Sequence, residues 1–139
     1  MSLQYALFPG CVLDGAAAEA YTSLKKVCEK LAITIEEIPN WTCCGASHAQ
    51  LAAEHDVLTA TGQIVDSADR AGAQAIVTPC PLCQMQLDMY EPEGRTAVHS
   101  RAELPVLHLQ QLIGFALGFS KQEVGFDRHV SAQLKLKLG

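Results

Sequence analysis

Five of the six cysteines in this chain fall into three short motifs whose spacing could serve a metal centre. Each motif contains Pro or Gly, and together they contribute Cys11, Cys43, Cys44, Cys80 and Cys83. A single zinc ion or a cubane iron–sulfur cluster takes four protein thiolates, so a fifth cysteine indicates a multi-metal centre or a mixture of ligands and redox thiols. Adjacent cysteines can serve one centre where the backbone turns sharply, and Gly45 permits such a turn.

The segments between these motifs alternate between short apolar strands and helices. Because strands alternating with helices favour parallel sheets, the chain is predicted to be α/β, with a Rossmann-like, mainly parallel sheet and flanking helices. The predicted strands are Gln4–Phe8, 33–38, Ala75–Thr78 and Val106-Leu107. The first predicted helix is Ala16–Leu31, with Asp14 as N-cap, and the second is Ser47–Ala71, with an interruption near Glu54–Asp56 and Gly72 as C′. The third helix runs from Pro81 to a turn at Glu91–Gly94, and the fourth is Leu109–Leu117, closed by Gly118.

Each cysteine motif directly follows one of the first three predicted strands. In open α/β sheets, ligands bind outside the carboxyl ends of the strands. We therefore expect the five thiols to converge within one cluster-sized volume at the C-terminal edge of the sheet. Neither composition nor spacing forces that convergence, so it supports the metal interpretation.

Length and composition limit the class of protein. At 139 residues and 49% hydrophobic residues, the chain is expected to fold as one domain with a real core. A formal net charge of −5 argues against a nucleic-acid partner, since no basic face is available to neutralise phosphates.

The sequence has no signal-peptide pattern and no apolar run long enough for a membrane span, so a cytoplasmic location is expected. In a reducing compartment, cysteines at these spacings indicate metal binding or catalysis rather than a disulfide framework.

Spacing alone leaves other interpretations of the cysteines open. Four of them could hold a structural zinc ion, or all could be free thiols in a small core. The pair Cys80 and Cys83 could form a thioredoxin-like dithiol, because it also joins a strand to a helix. Cys28, at a core-facing position of the first helix, is interpreted as a buried structural thiol remote from the site.

Several other side chains near the motifs are candidates for a functional or supporting role. His48 is a possible ligand or proton donor because it follows the Cys-Cys-Gly motif closely, and His55 is a weaker candidate. His108 is expected to satisfy a local hydrogen bond at a strand end, and His99 and His129 to lie on the surface. Trp41 is interpreted as a core anchor that fixes the neighbouring loop, and the Glu36-Glu37 pair as solvated charge.

The motifs resemble the cysteine-rich CCG domain of the heterodisulfide reductase B-subunit family. The similarity rests on Phe8-Pro9-Gly10-Cys11, on the segment 41–46 around Cys43-Cys44-Gly45, on Thr78-Pro79-Cys80-Pro81-Leu82-Cys83, and on the segment 105–112. It covers residues 4–118, which we take as the domain, and leaves 119–139 as a C-terminal tail that could dock a partner. Leu134 to Leu138 of that tail alternates leucine and lysine, as a half-exposed strand would.

The resemblance implies a function. In that family, five such cysteines are ligands of a noncubane [4Fe-4S] cluster, which implies this role for Cys11, Cys43, Cys44, Cys80 and Cys83. The chain would then be an iron–sulfur redox subunit that reduces disulfides or transfers electrons within an oxidoreductase complex. The family's B subunit has two CCG domains and this chain has one. The implied partners are an electron-transfer subunit, a second CCG subunit or a second copy of the chain, and whether the chain is an enzyme by itself stays open.

Overall fold

The described part of the chain alternates strands with helices, with two helices between the third and fourth strands, and has a short 3-10 helix near its end. A computed structural model describes residues 4–10, 15, 17–46 and 54–130. The elements are β1 (Gln4–Leu7), α1 (Ala18–Lys30), β2 (Thr34–Glu37), α2 (Glu54–Arg70), β3 (Ala75–Thr78), α3 (Pro81–Met89), α4 (Glu91–Ala97), β4 (Val106–His108), α5 (Leu109–Ala116) and the 3-10 helix Phe126–Arg128.

The four strands form one sheet in the order β2-β1-β3-β4, and every pairing is parallel. Side chains of a strand alternate between the two faces of a sheet, so each face has its own core. One core packs Ala6, Ile76 and Val106 against α2 and α3. The other packs Tyr5, Val77 and further strand residues against α1 and α5. The predicted α/β class, with a parallel sheet and flanking helices, is confirmed.

Most element boundaries follow the sequence prediction closely. The predicted strand Ala75–Thr78 is confirmed, as is the helix that starts at Pro81. Gly72 has a φ of +82° immediately after α2, which is the conformation expected of a C′ glycine. One detail was wrong, because α1 begins at Ala18 rather than Ala16. Glu54–Asp56 form the first turn of α2, so the predicted interruption near them is not tested. Asp14 and residues 47–53 lie outside the described residues.

The predicted turn at Glu91–Gly94 was also wrong, because these residues begin α4. Pro92 occupies the first turn of the helix, where a missing backbone N–H costs nothing. Gly94 is needed for packing rather than for a turn. A Cβ atom on Gly62 of α2 would lie 2.1 Å from the Gly94 carbonyl oxygen, so the two helices cross with their backbones in contact.

His129, expected on the surface, is buried against the open side of β4. Its Nδ1 atom hydrogen-bonds the Val106 carbonyl oxygen at 2.7 Å. The next residue, Val130, donates its backbone N–H to the Asp88 carboxylate at 2.8 Å. These contacts hold residues 126–130 against β4 and α3. Residues 131–139, which include the alternating leucines and lysines, lie outside the described part of the chain.

Candidate metal centre

Two cysteine motifs, and the residues leading into the third, lie at the carboxyl edge of the sheet. Cys43 and Cys44 follow β2, Cys80 and Cys83 follow β3, and Gly10 follows β1. In the strand order 2-1-3-4, the chain leaves β1 toward β2 on one side and later returns on the other side to form β3. Ligands of doubly wound sheets bind at this kind of switch point.

The start of α3 shapes the Cys80 and Cys83 pair. Cys80 is the N-cap residue, and its Sγ atom accepts a hydrogen bond from the Cys83 backbone N–H at 3.4 Å. The Thr78 hydroxyl accepts from the Cys80 N–H at 3.2 Å, which fixes the bend before the helix. Pro81 at the first helical position sets the backbone angle for the helix start. The helix start therefore directs a backbone N–H group at the Cys80 sulfur.

The Cys43-Cys44-Gly45 loop brings a second pair of sulfurs to the same place. Gly45 has a φ of +86°, and its N–H donates to the Cys43 Sγ atom at 3.5 Å. Cys44 is only 2% exposed, and its Sγ atom lies 3.5 Å from the Sγ atom of Cys83, which is also buried. Two motifs that are far apart in sequence therefore meet sulfur to sulfur.

The Cys44 and Cys83 sulfurs share one hydrogen bond, which shifts the pKa values of the two thiols in opposite directions. The hydrogen bond with Cys83 lowers the pKa of Cys44 to about 6, although burial opposes the change. The same hydrogen bond, together with burial, raises the pKa of Cys83. At neutral pH the pair therefore favours one thiolate and one thiol, which is a nucleophilic and metal-binding arrangement.

The first motif approaches this pair through Gly10. Gly10 has a φ of +79°, and a Cβ atom there would lie 3.6 Å from both the Cys83 Sγ and the Cys80 Cβ atoms. The backbone that leads into the first motif is therefore in contact range of the second pair. Cys11 itself and His48 lie outside the described residues. The structure shows one contact between sulfurs of different motifs, that of Cys44 with Cys83, and convergence of all five sulfurs in one cluster-sized volume stays a prediction.

His108 caps α5 and hydrogen-bonds the backbone next to Cys80. Its Nδ1 atom accepts from the Gln110 backbone N–H at 3.3 Å and caps α5, and its side chain also hydrogen-bonds the Pro79 backbone. Burial lowers the pKa of His108. The predicted local hydrogen-bonding role is confirmed, and the contact with Pro79 braces the residue before Cys80. His55 and His99 are exposed, and for His99 this was predicted.

Trp41 anchors the Cys43-Cys44 loop as predicted, and Glu37 is hydrogen-bonded to it. The Trp41 ring packs edge-on against Phe8 at a centroid distance of 5.3 Å. Glu37 accepts hydrogen bonds from Tyr21 and Trp41, each at 2.6 Å. Glu37 and its neighbour Glu36 are both exposed, as expected of solvated charge, and the two hydrogen bonds of Glu37 were not predicted. No local pattern distinguishes the two glutamates, because both partners of Glu37 come from the tertiary fold.

The described cysteines are chemically suited to an iron–sulfur centre. Thiolates are soft ligands that suit iron–sulfur clusters, and backbone N–H groups that point at sulfur stabilise them. In the ranges 4–10, 17–46 and 54–130, no three His, Cys, Asp or Glu side chains are grouped closely enough to hold a metal ion. Cys28 is fully buried in the core on the α1 face, away from these sulfurs.

Comparison with known families and proteins adds independent information. The model of the CCG cysteine-rich domain family matches residues 5–88. The 8-methylmenaquinol:fumarate reductase membrane anchor subunit of Wolinella succinogenes is 44% identical over 94 residues, which are 68% of this chain and 33% of that protein.

Two archaeal relatives carry heterodisulfide reductase names. The B subunit of the ferredoxin:CoB-CoM heterodisulfide reductase of Methanosarcina mazei is 35% identical over 92 residues, 63% of this chain and 29% of that protein. A ferredoxin/F420H2-dependent counterpart from Methanosarcina acetivorans is 41% identical over 63 residues, 42% of this chain and 20% of that protein. The chain thus spans a third or less of each relative. Within the described ranges, no helix has the length and apolar character needed to cross a membrane.

Proposed function

Because the chain belongs to the CCG cysteine-rich domain family, we propose that it is an iron–sulfur redox domain. The proposed ligands are Cys11, Cys43, Cys44, Cys80 and Cys83, and the proposed cofactor is a [4Fe-4S] cluster of the noncubane type. The observation that carries the proposal is the 3.5 Å contact between the Cys44 and Cys83 sulfurs, which joins the two described motifs into one site.

The protein's own groups support this assignment. When bound, a cluster of this kind supplies reversible electron transfer. The N–H groups of Gly45 and Cys83 point at the sulfurs of Cys43 and Cys80 and would stabilise them as thiolates. Gly10, with a φ of +79°, allows the backbone to turn just before Cys11 within contact range of Cys80 and Cys83. A reducing compartment such as the cytoplasm would keep these thiols available for metal.

The names of the relatives suggest two related activities. Two are subunits of heterodisulfide reductases and one is a subunit of a menaquinol:fumarate reductase. We therefore propose that this domain exchanges electrons within a larger oxidoreductase and takes part in disulfide reduction or electron transfer. The expected partner is an iron–sulfur electron-transfer subunit, a second CCG subunit or a second copy of this chain.

One observation favours a second candidate, a cluster-free dithiol oxidoreductase. The Cys44 and Cys83 thiols lie close, and their pKa values are shifted in opposite directions. The Cys44 thiolate could attack a substrate disulfide, forming a mixed disulfide and releasing one substrate thiolate. The Cys83 thiol, on losing its proton, could then attack the Cys44 sulfur and release the second thiolate. The substrate gains two electrons from the pair, one proton from Cys83 and one from solvent, and the pair becomes a disulfide.

Metal analysis of protein purified without oxygen tests the proposal. The expected result is a brown protein with iron and acid-labile sulfide in equal amounts and visible absorption that bleaches on reduction. A colourless protein with one zinc per chain would support a structural zinc module instead. A colourless, metal-free protein with titratable thiols that reduces disulfides would support the dithiol candidate.

A further inference from the structure

Glu37 joins parts of the chain that flank two of the cysteine motifs. It ends β2 and precedes the Cys43-Cys44 loop. Its Oε2 atom accepts a hydrogen bond from the Tyr21 hydroxyl, and its Oε1 atom accepts one from the Trp41 Nε1–H, both at 2.6 Å. The Tyr21 hydrogen bond, followed by the Trp41 hydrogen bond, lowers the pKa of Glu37, so the carboxylate is charged at neutral pH.

The two hydrogen-bond donors to Glu37 connect it to the segments before and after Cys11. Tyr21 belongs to α1, which follows Cys11. Trp41 precedes Cys43, and its ring packs at 75° against the ring of Phe8, which is fully buried and comes shortly before Cys11. The Glu37 carboxylate is therefore the point at which the Cys43-Cys44 loop meets both flanks of the first motif.

We propose that Glu37 is a positioning residue that aligns the Cys43-Cys44 loop with α1 through Tyr21 and, through Trp41, with Phe8 at the end of β1. It acts on the loop through those two side chains. The purpose of the alignment, assembly of one metal centre, rests on the proposed function. The hydrogen bonds themselves do not require a metal, so they can be tested separately.

The accessibility of individual cysteines is a suitable measurement, because the inference concerns loop position rather than overall stability. The full chain, purified anaerobically, is treated with iodoacetamide, and the alkylation rate of each cysteine is followed by peptide mass spectrometry. Iron content is measured on the same preparation. The variants are Glu37→Ala, Glu37→Gln and Trp41→Phe, with Glu36→Ala as the matched control on the same strand.

The expected result is specific to the loop. Glu37→Ala and Trp41→Phe should speed alkylation of Cys43 and Cys44 by about threefold to tenfold, the range for losing an ordinary hydrogen bond, because solvent weakens the bonds of the exposed Glu37 carboxylate. Cys28 should keep its rate, and Glu36→Ala should match the wild type. Glu37→Gln should lie close to the wild type, because its amide oxygen can still accept from Trp41. The double variant Glu37→Ala/Trp41→Phe should be no faster than Glu37→Ala.

Two results would overturn the inference. One is an alkylation pattern in Glu37→Ala that equals that of Glu36→Ala. The other is an equal acceleration of Cys28, Cys43 and Cys44, which would indicate general loosening of the fold. If Glu37→Ala does not fold, Trp41→Phe carries the comparison, since phenylalanine keeps a ring against Phe8. Absence of iron from the wild type would count against the proposed function and leave the alkylation comparison to decide the role of Glu37.

Discussion

Glu91 is a buried carboxyl group. It is 1% exposed, its Oε1 atom accepts from the Leu104 backbone N–H at 2.8 Å, and its Oε2 atom is buried without a hydrogen-bond partner in the described part of the chain. Burial raises the pKa of Glu91 to about 7. The folded state therefore favours the protonated form of this side chain.

This burial predicts a pH-dependent stability. Because the folded pKa is about 7 and the ordinary value is 4.5, the contribution of Glu91 is fully present below pH 4.5 and is lost as pH rises through 7. We expect Glu91→Gln to match the wild type near pH 4.5 and to exceed its free energy of unfolding by up to about 3 kcal/mol at pH 8. Urea unfolding from pH 4.5 to 8 measures this, with Glu93→Gln, exposed on the same helix, as control. Parallel pH profiles for Glu91→Gln and the wild type would contradict it.

Cys28 gives a prediction of the opposite kind, a structural effect without a metal effect. It is fully buried in the core on the α1 face, and burial raises the pKa of its thiol. Cys28→Ser should lower the free energy of unfolding by about 1–3 kcal/mol, the cost of a buried hydroxyl without a good partner. Iron content per folded chain should not change. Loss of iron in this variant would show that Cys28 belongs to the site.

At the residue scale, sequence reasoning succeeded where side-chain chemistry is distinctive. Cysteine motifs with Pro and Gly can be recognised locally, and Cys28 could be separated from them by its helical position. Glu37, Glu91 and His129 could not be recognised, because their partners come from distant parts of the chain. A glutamate in a sequence carries no sign of the tyrosine or backbone N–H that it will meet.

At the scale of elements, glycine has two roles that look alike in sequence. Gly72 and Gly45 both adopt positive φ, as glycines after a helix or in a sharp turn should. Gly94 lies in a helix and is required because α4 crosses α2 at Gly62. The predicted turn at Glu91–Gly94 failed because packing, not backbone conformation, explains that glycine.

Replacing Gly45 by alanine is predicted to lower the free energy of unfolding by more than the strain of its positive φ alone. A Cβ atom at Gly45 would lie 3.2 Å from a methyl group of Val57, whereas one at Gly72 would meet nothing within 4 Å. Gly72→Ala should therefore cost only backbone strain, about 1–2 kcal/mol, and keep wild-type iron content. Gly45→Ala should cost more and also lower iron content, because the Cys43-Cys44 turn must shift.

Urea unfolding and iron analysis of the two variants measure this difference. Adding Val57→Ala to Gly45→Ala should recover part of the stability, since it removes the methyl group in contact. Equal effects of Gly45→Ala and Gly72→Ala on iron content would show that the contact with Val57 is unimportant.

At the scale of the whole molecule, alternation of strands and helices was enough to predict a parallel sheet with the described cysteines at its carboxyl edge. The strand order β2-β1-β3-β4 was not predicted, because the same alternation permits several orders. That order places β1 and β3 side by side, which brings Gly10 against the Cys80 and Cys83 pair.

The relatives from Wolinella succinogenes and Methanosarcina are named as subunits of reductases, so we propose that this chain also works within an assembly. We expect disulfide reduction driven by a chemical electron donor to be slow for the isolated chain and faster when a partner protein is added. Anaerobic size-exclusion chromatography identifies any second copy of the chain, and disulfide-reductase assays with and without partners measure the activity. A monomer that reduces disulfides at full rate with only the chemical donor would refute this expectation.

The central claim is that one iron–sulfur centre uses all five motif cysteines. Its most direct test is iron per chain in anaerobically purified Cys→Ser variants at positions 11, 43, 44, 80 and 83, with Cys28→Ser as matched control. We predict about four iron atoms per chain in the wild type and in Cys28→Ser, and a large loss in each of the five other variants. Wild-type iron content in any of those five, or zinc without iron in the wild type, would contradict it.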